Sequence, residues 1–121
     1  MNIAGIHHVQ LAMPEGGEQA AREFYCGVLG IPEAPKPADL LKRGGVWFES
    51  DRVRIHLGVE KGFKPAVKAH PGLLVQDLPS LITCLRNAGF EVIDDDRVVD
   101  CQRAYVHDPF GNRIELMEPR S

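Results

Sequence analysis

An α+β fold made of two βαβββ modules is what the sequence predicts, and three observations predict it. One plan of strand, helix, stop and further strands is written twice along the 121 residues, in modules of about 1–62 and 63–121 that form a single domain. Short alternating runs of Val, Leu and Ile are set off by Gly, Pro and Asp turns. Each half also carries one apolar stripe with helical spacing.

The first strand is Ile6 to Met13, with Val9, Leu11 and Met13 on one face and His8, Gln10 and Ala12 on the other. From Glu18 to Leu29 a helix is expected. Its stripe is Ala21, Phe24, Tyr25 and Val28, and Gly30 supplies a stop tolerant of positive φ. A proline-spotted stretch with Pro32, Pro35 and Pro37 reads as a loop or an edge strand. Strands follow at Val46 to Glu49 and Val53 to Val59, joined by a turn around Ser50 and Asp51.

The order then restarts. His70 to Gln76 reads as a strand, and an Asp77 cap opens a helix to Gly89 on the stripe Leu78, Leu81, Ile82 and Leu85. Glu91 to Ile93, Gln102 to Val106 and Arg113 to Met117 give three more strands. The last two are joined through Asp108-Pro109-Phe110-Gly111-Asn112, where Pro fixes φ and Gly and Asn accept a left-handed backbone.

Composition narrows the function classes. With 44% apolar and 26% charged residues the chain has the ordinary globular mix, so a disordered or fibrous protein is excluded. Fourteen basic and seventeen acidic side chains give a net charge of −3, with no Lys/Arg run fit to neutralise phosphates, so nucleic acid is not an expected partner. No apolar window reaches the roughly 20 residues a membrane span needs, and MNIAGIHHVQLAM lacks the pattern of a secretion signal. Three cysteines without CxxC spacing suggest neither a disulfide framework nor a thiolate zinc site, and a reducing, cytoplasmic location is expected. Cys26 and Cys84 read as buried small hydrophobes, and Cys101 as a loop residue.

Superposing the halves aligns His8 with His70 and His56 with Glu115. Alternation puts His56 opposite Ile55 and Leu57, and Glu115 opposite Ile114 and Leu116, so both face away from the helix side. His8 is favoured over His7 because successive side chains point to opposite faces. Three imidazoles and a carboxylate at repeat-related positions on one face form a donor set for a divalent ion, be it zinc, nickel, cobalt, manganese or iron. Trp47, Phe48 and Tyr105 read as ordinary core, and the pair His107 and Asp108 as a structural turn.

The motifs HHVQLAM, FYCGVLG, VRIHLGVE, AHPGLLVQDL and DPFGNRIELME, in this order over nearly the whole chain, resemble the vicinal oxygen chelate superfamily of glyoxalases, bleomycin-resistance proteins and extradiol dioxygenases. The resemblance implies two βαβββ modules forming an open, metal-centred eight-stranded barrel, usually in a homodimer. It also implies that His8, His56, His70 and Glu115 occupy the four ligand positions. A filled fourth position points to a lyase or isomerase acting on a small substrate that chelates through adjacent oxygens, with Glu115 as the base. A ring-cleaving dioxygenase follows if iron is bound. A drug-binding resistance-type protein without turnover, and a partner protein that lost the chemistry, are the non-enzymatic alternatives. Glyoxalase I proteins commonly carry a carboxylate or glutamine where this chain has His56, which argues against glutathione chemistry. Arg54, Arg103 and Arg113 are candidates for holding an anionic substrate, and loops 35–45 and 61–68 for selecting it.

Overall fold

The computed structural model describes residues 1–95, 97 and 100–120. Packing divides the chain into two compact units, Met1–Phe63 and Lys64–Ser121. In the first, β1 (Val9–Met13), β2 (Glu33–Ala34), β3 (Val46–Glu49) and β4 (Arg54–Val59) form a sheet in the order β1-β4-β3-β2. In the second, β5 (Gly72–Leu74), β6 (Val92–Asp94), β7 (Cys101–His107) and β8 (Arg113–Pro119) repeat that order as β5-β8-β7-β6. Each sheet is mixed: β1 runs parallel to β4 and β5 to β8, while the other pairs are antiparallel. The α+β fold of βαβββ modules is thereby observed as two four-stranded sheets, neither closed on itself.

The register explains which side chains are buried. On one face of the first sheet Val46 lies opposite Leu57 and Phe48 opposite Ile55, all four buried with Met13. Ala21, Phe24 and Tyr25 of the helical segment complete this core, and the Tyr25 ring stacks on Phe48 with centroids 5.3 Å apart. In the second sheet Ala104, Val106, Ile114 and Leu116 are buried with Leu78 and Leu85 of α2 (Leu78–Asn87).

The first helix departs from expectation. Only α1 (Glu18–Ala21) is α-helical, and Arg22–Val28 winds as a π-helix in which Leu29 N–H donates to Phe24 O, five residues back. No signal in sequence periodicity separates a 3.6-residue stripe from this wider one over seven residues. Gly30 ends it at φ +78°, as expected of a stop. Helix α2 is as predicted. Asp77 takes a left-handed conformation, and its Oδ1 accepts from Ser80 N–H at 3.3 Å. Glu118 at the end of β8 adds a second cap, accepting from Asp77 N–H and Leu78 N–H at 3.0 and 2.9 Å.

Other boundaries shift. The strands read at Ile6 to Met13 and His70 to Gln76 are shorter, so His8 and His70 both stand just ahead of their strands. The proline stretch holds a two-residue edge strand and a 3₁₀ segment, Ala38–Arg43. Cys26 and Cys84 are exposed rather than buried, because each helical segment turns an adjacent residue, Tyr25 or Leu85, to the core instead. Cys101 is half-buried at the start of β7 rather than in a loop. The 108–112 reversal is built as expected: Asp108 Oδ1 accepts from Phe110 N–H and Asn112 N–H at 2.9 and 2.8 Å, and Gly111 has φ +94°. Among the described residues no helix is long and apolar enough to cross a membrane.

Candidate functional site

The candidate donors fall two to each unit. In the first, the β3–β4 register sets Trp47 opposite His56 on the face away from the core. The His56 ring is clasped between two others: Trp47 stacks on it at 4.1 Å and 6°, and His8 at 4.3 Å and 17°. His56 is 4% exposed, whereas His8 is open to solvent. His56 Nε2 lies 2.7 Å from Glu49 Oε2. An ionised carboxylate only accepts, so Nε2–H donates to it and the neutral ring keeps its lone pair on Nδ1. His7 and His8 meet through their Nδ1 atoms at 3.0 Å, one of them donating.

Gly45, just ahead of β3, lies against the backbone of β4. It has φ +86°, and a Cβ there would run into the Leu57 carbonyl oxygen. Only glycine fits.

In the second unit the equivalent register sets Tyr105 opposite Glu115. Glu115 is 9% exposed, and its Oε1 lies 2.9 Å from His70 Nε2. His70 Nδ1–H donates to the Lys68 carbonyl at 2.7 Å. A neutral His70 ring with that tautomer therefore turns an unprotonated Nε2 toward a carboxylate oxygen. A proton between the two atoms or a cation held by both satisfies this contact. Neighbouring donors on a divalent ion with bonds of roughly 2.1 Å also sit about 3 Å apart, so this pair fits one side of such a site. Among the described residues no group of three or more His, Cys, Asp and Glu side chains is gathered as a metal-holding cluster.

Charged partners surround Glu115. Arg103 donates from one terminal nitrogen to Glu115 Oε2 at 3.3 Å and from the other to Asp95 Oδ2 at 2.8 Å. Arg97 binds both oxygens of Asp95, at 3.0 and 2.9 Å. Hydrogen bonds from the Arg97 side chain and backbone, with the Arg103 charge beside them, hold the Asp95 carboxyl well below the usual carboxylate range. Burial works against the Arg103 charge, but the Glu115 hydrogen bond and the Asp95 charge outweigh it and raise its pKa. Arg103 Nε is buried and has no partner among the described residues, an arrangement that generally costs about 1–3 kcal/mol.

The three arginines proposed for an anionic substrate thus differ. Arg103 is committed to two acids, and Arg54 donates to the His7 carbonyl at 3.3 Å. Arg113 packs over the Tyr105 ring at 4.0 Å, beside a cleft of about 620 Å³ that Ile93, Arg97, Tyr105 and His107 also line. Phe48 is core as expected, but Trp47 and Tyr105 are not. Trp47 covers His56, and Tyr105 meets the His70 ring edge-on at 5.8 Å. Extending the register from the turn at Ser50, whose N–H donates to Val53 O, identifies the Trp47–His56 pair. Glu49 and Arg103 carry no such sequence signal.

No family model and no curated protein matches the chain. Among solved structures it is similar to a glyoxalase family protein from Bacillus anthracis, with 49% identity over 99% of this chain and 98% of that one and a TM-score of 0.95. The fold is also that of the fosfomycin resistance protein FosX from Listeria monocytogenes, with 15% identity over 98% and 95% of the chains and a TM-score of 0.79. It is likewise that of TnmS3, an antibiotic binding protein from Streptomyces sp. CB03234, with 21% identity over 98% and 100% and a TM-score of 0.70. Near-complete coverage of a relative at half identity, on two βαβββ modules, shows that the chain belongs to the glyoxalase family of the vicinal oxygen chelate superfamily.

Proposed function

We propose that the protein is a metal-dependent glyoxalase-like enzyme of lyase or isomerase type, acting on a small substrate with two adjacent oxygens. His8, His56, His70 and Glu115 would hold the divalent ion. The observation that carries this is the His70–Glu115 pair: the Lys68 carbonyl takes the Nδ1–H, and Nε2 faces a carboxylate oxygen at 2.9 Å. A bound divalent cation supplies Lewis acidity toward substrate oxygens.

The chain's own groups do the rest. Glu115 Oε1 takes the substrate proton as general base, since a carboxylate exchanges roles more readily than an imidazole committed to a cation. Trp47 and His8 fix the plane of His56, Glu49 fixes its tautomer, and Tyr105 limits water beside His70. Arg113 at the cleft is the arginine placed to meet an anionic substrate group. With iron as the resident ion, ring-cleaving dioxygenase chemistry becomes the expected outcome instead.

The fold shared with an antibiotic-binding protein supports a second reading, sequestration of a small molecule without turnover. Elemental analysis of untagged wild type and Glu115→Ala decides. A stoichiometric divalent metal in the wild type and its loss in the variant are expected, and full occupancy in Glu115→Ala overturns the ligand assignment. A metal-loaded wild type that converts no dicarbonyl, hydroxy-carbonyl or catechol compound moves the binding reading ahead. A reducing cytoplasm suits three free thiols, and a homodimer would cover exposed Ile3, Ile6 and Leu74. Sedimentation tests the latter.

A further inference from the structure

We propose that Arg103 is the positioning residue of Glu115, holding Oε2 so that Oε1 alone is presented beside His70; this rests on the reading of Glu115 as ligand and base. The two carboxylate oxygens have different neighbours, His70 Nε2 at 2.9 Å on Oε1 and Arg103 at 3.3 Å on Oε2. With both ends held, the carboxylate plane has one setting. Arg103 is itself anchored from the far side, through Asp95 Oδ2 at 2.8 Å, and Asp95 is gripped in turn by Arg97. The Tyr105 ring lies 5.5 Å from the guanidinium carbon.

Both terminal nitrogens of Arg103 go to acids, Glu115 on one side and Asp95 on the other, so the guanidinium ties the candidate carboxylate to a braced neighbour. The clamp is also confined to the half that contains the carboxylate. Two residues before Tyr105 stands Arg103, whereas two before Trp47, its register counterpart, stands Gly45. With the Arg103 guanidinium on Oε2, Glu115 would offer Oε1 alone to an ion or to a substrate proton.

The test uses the full chain as Arg103→Gln, Arg103→Lys and Asp95→Asn, with two readouts. In metal-free protein, the ¹⁵N signals of the His70 ring are expected to move in Arg103→Gln and to stay nearer wild type in Arg103→Lys. In cobalt(II) titrations, Arg103→Gln is expected to bind about tenfold more weakly, with an altered visible spectrum from a two-oxygen carboxylate, and Asp95→Asn to shift in the same direction by less. Unchanged His70 signals together with wild-type cobalt affinity and spectrum in a folded Arg103→Gln overturn the proposal. If Arg103→Gln does not fold, the same two measurements on Asp95→Asn and Arg103→Lys support or overturn it in the same way. A wild type that takes up no cobalt overturns the metal reading instead, and the His70 signals then decide the clamp alone.

Discussion

In the first unit His56 is held by ring faces, Trp47 on one side and His8 on the other, with Glu49 as its polar partner. In the second, Glu115 is held through its oxygens, with His70 on one and Arg103, braced by Asp95 and Arg97, on the other. The strand order behind them is the same. The difference follows from the group being restrained: a flat imidazole is fixed by stacking, while a carboxylate offers no face and is fixed through its oxygens. One scaffold written twice therefore supports two ways of making a side chain rigid. The ring stacking should respond little to salt, whereas the contacts of Arg103 and Arg97 with Asp95 should respond to both salt and acid.

The largest break expected is at the charged half. Glu115→Ala would remove the proposed ligand and base together and, on that reading, should lower turnover by about 100- to 10,000-fold, measured as kcat/KM on the first substrate found and checked against metal content. Phe24→Ala, in the core beneath the aromatic half, should cost about 3–5 kcal/mol in urea unfolding, and a value near zero would mean the helical segment does not anchor that sheet. Trp47→Leu sharpens the comparison, because it removes the ring stacked on His56 without removing a charge. About 0.5–1.5 kcal/mol is expected, and the loss should be the same at low and high salt.

The smallest effect is a slope. The Asp95 carboxyl titrates below its ordinary 3.8, held there by the Arg97 hydrogen bonds, so its contribution to stability is present above that value. As pH falls through 3.8 toward the folded-state value the contribution is lost. Midpoints of thermal unfolding between about pH 5 and 2 should fall more steeply for wild type than for Asp95→Asn, and parallel curves would remove Asp95 from the charged network.

What the sequence disclosed and what it withheld follow the range of the forces involved. Helix α2 was legible because Asp77 and Ser80 make their cap within three residues and the Leu78–Leu85 stripe repeats locally. The faces of β4 and β8 were legible because alternation is a property of any pleated strand, which put His56 and Glu115 on the side away from the core. The π-helix was not, since a widened turn leaves no mark in the periodicity of seven residues. Nor were Glu49 and the true commitments of Arg103, because a long side chain's partner depends on register and rotamer across strands. The same ignorance made Trp47 and Tyr105 look like filler, when each is the cross-strand companion of a candidate donor.

The tether between His70 and the Lys68 carbonyl has an evolutionary corollary. The tilt of that imidazole is decided by a stretch of backbone two residues long, outside the sheet, whereas Glu115 is bedded in the middle of β8. Insertions or substitutions around 61–69 can thus re-aim one donor atom without touching a core residue. If His70 is a ligand, a lineage has there a dial for preferring one ion over another that leaves the core intact.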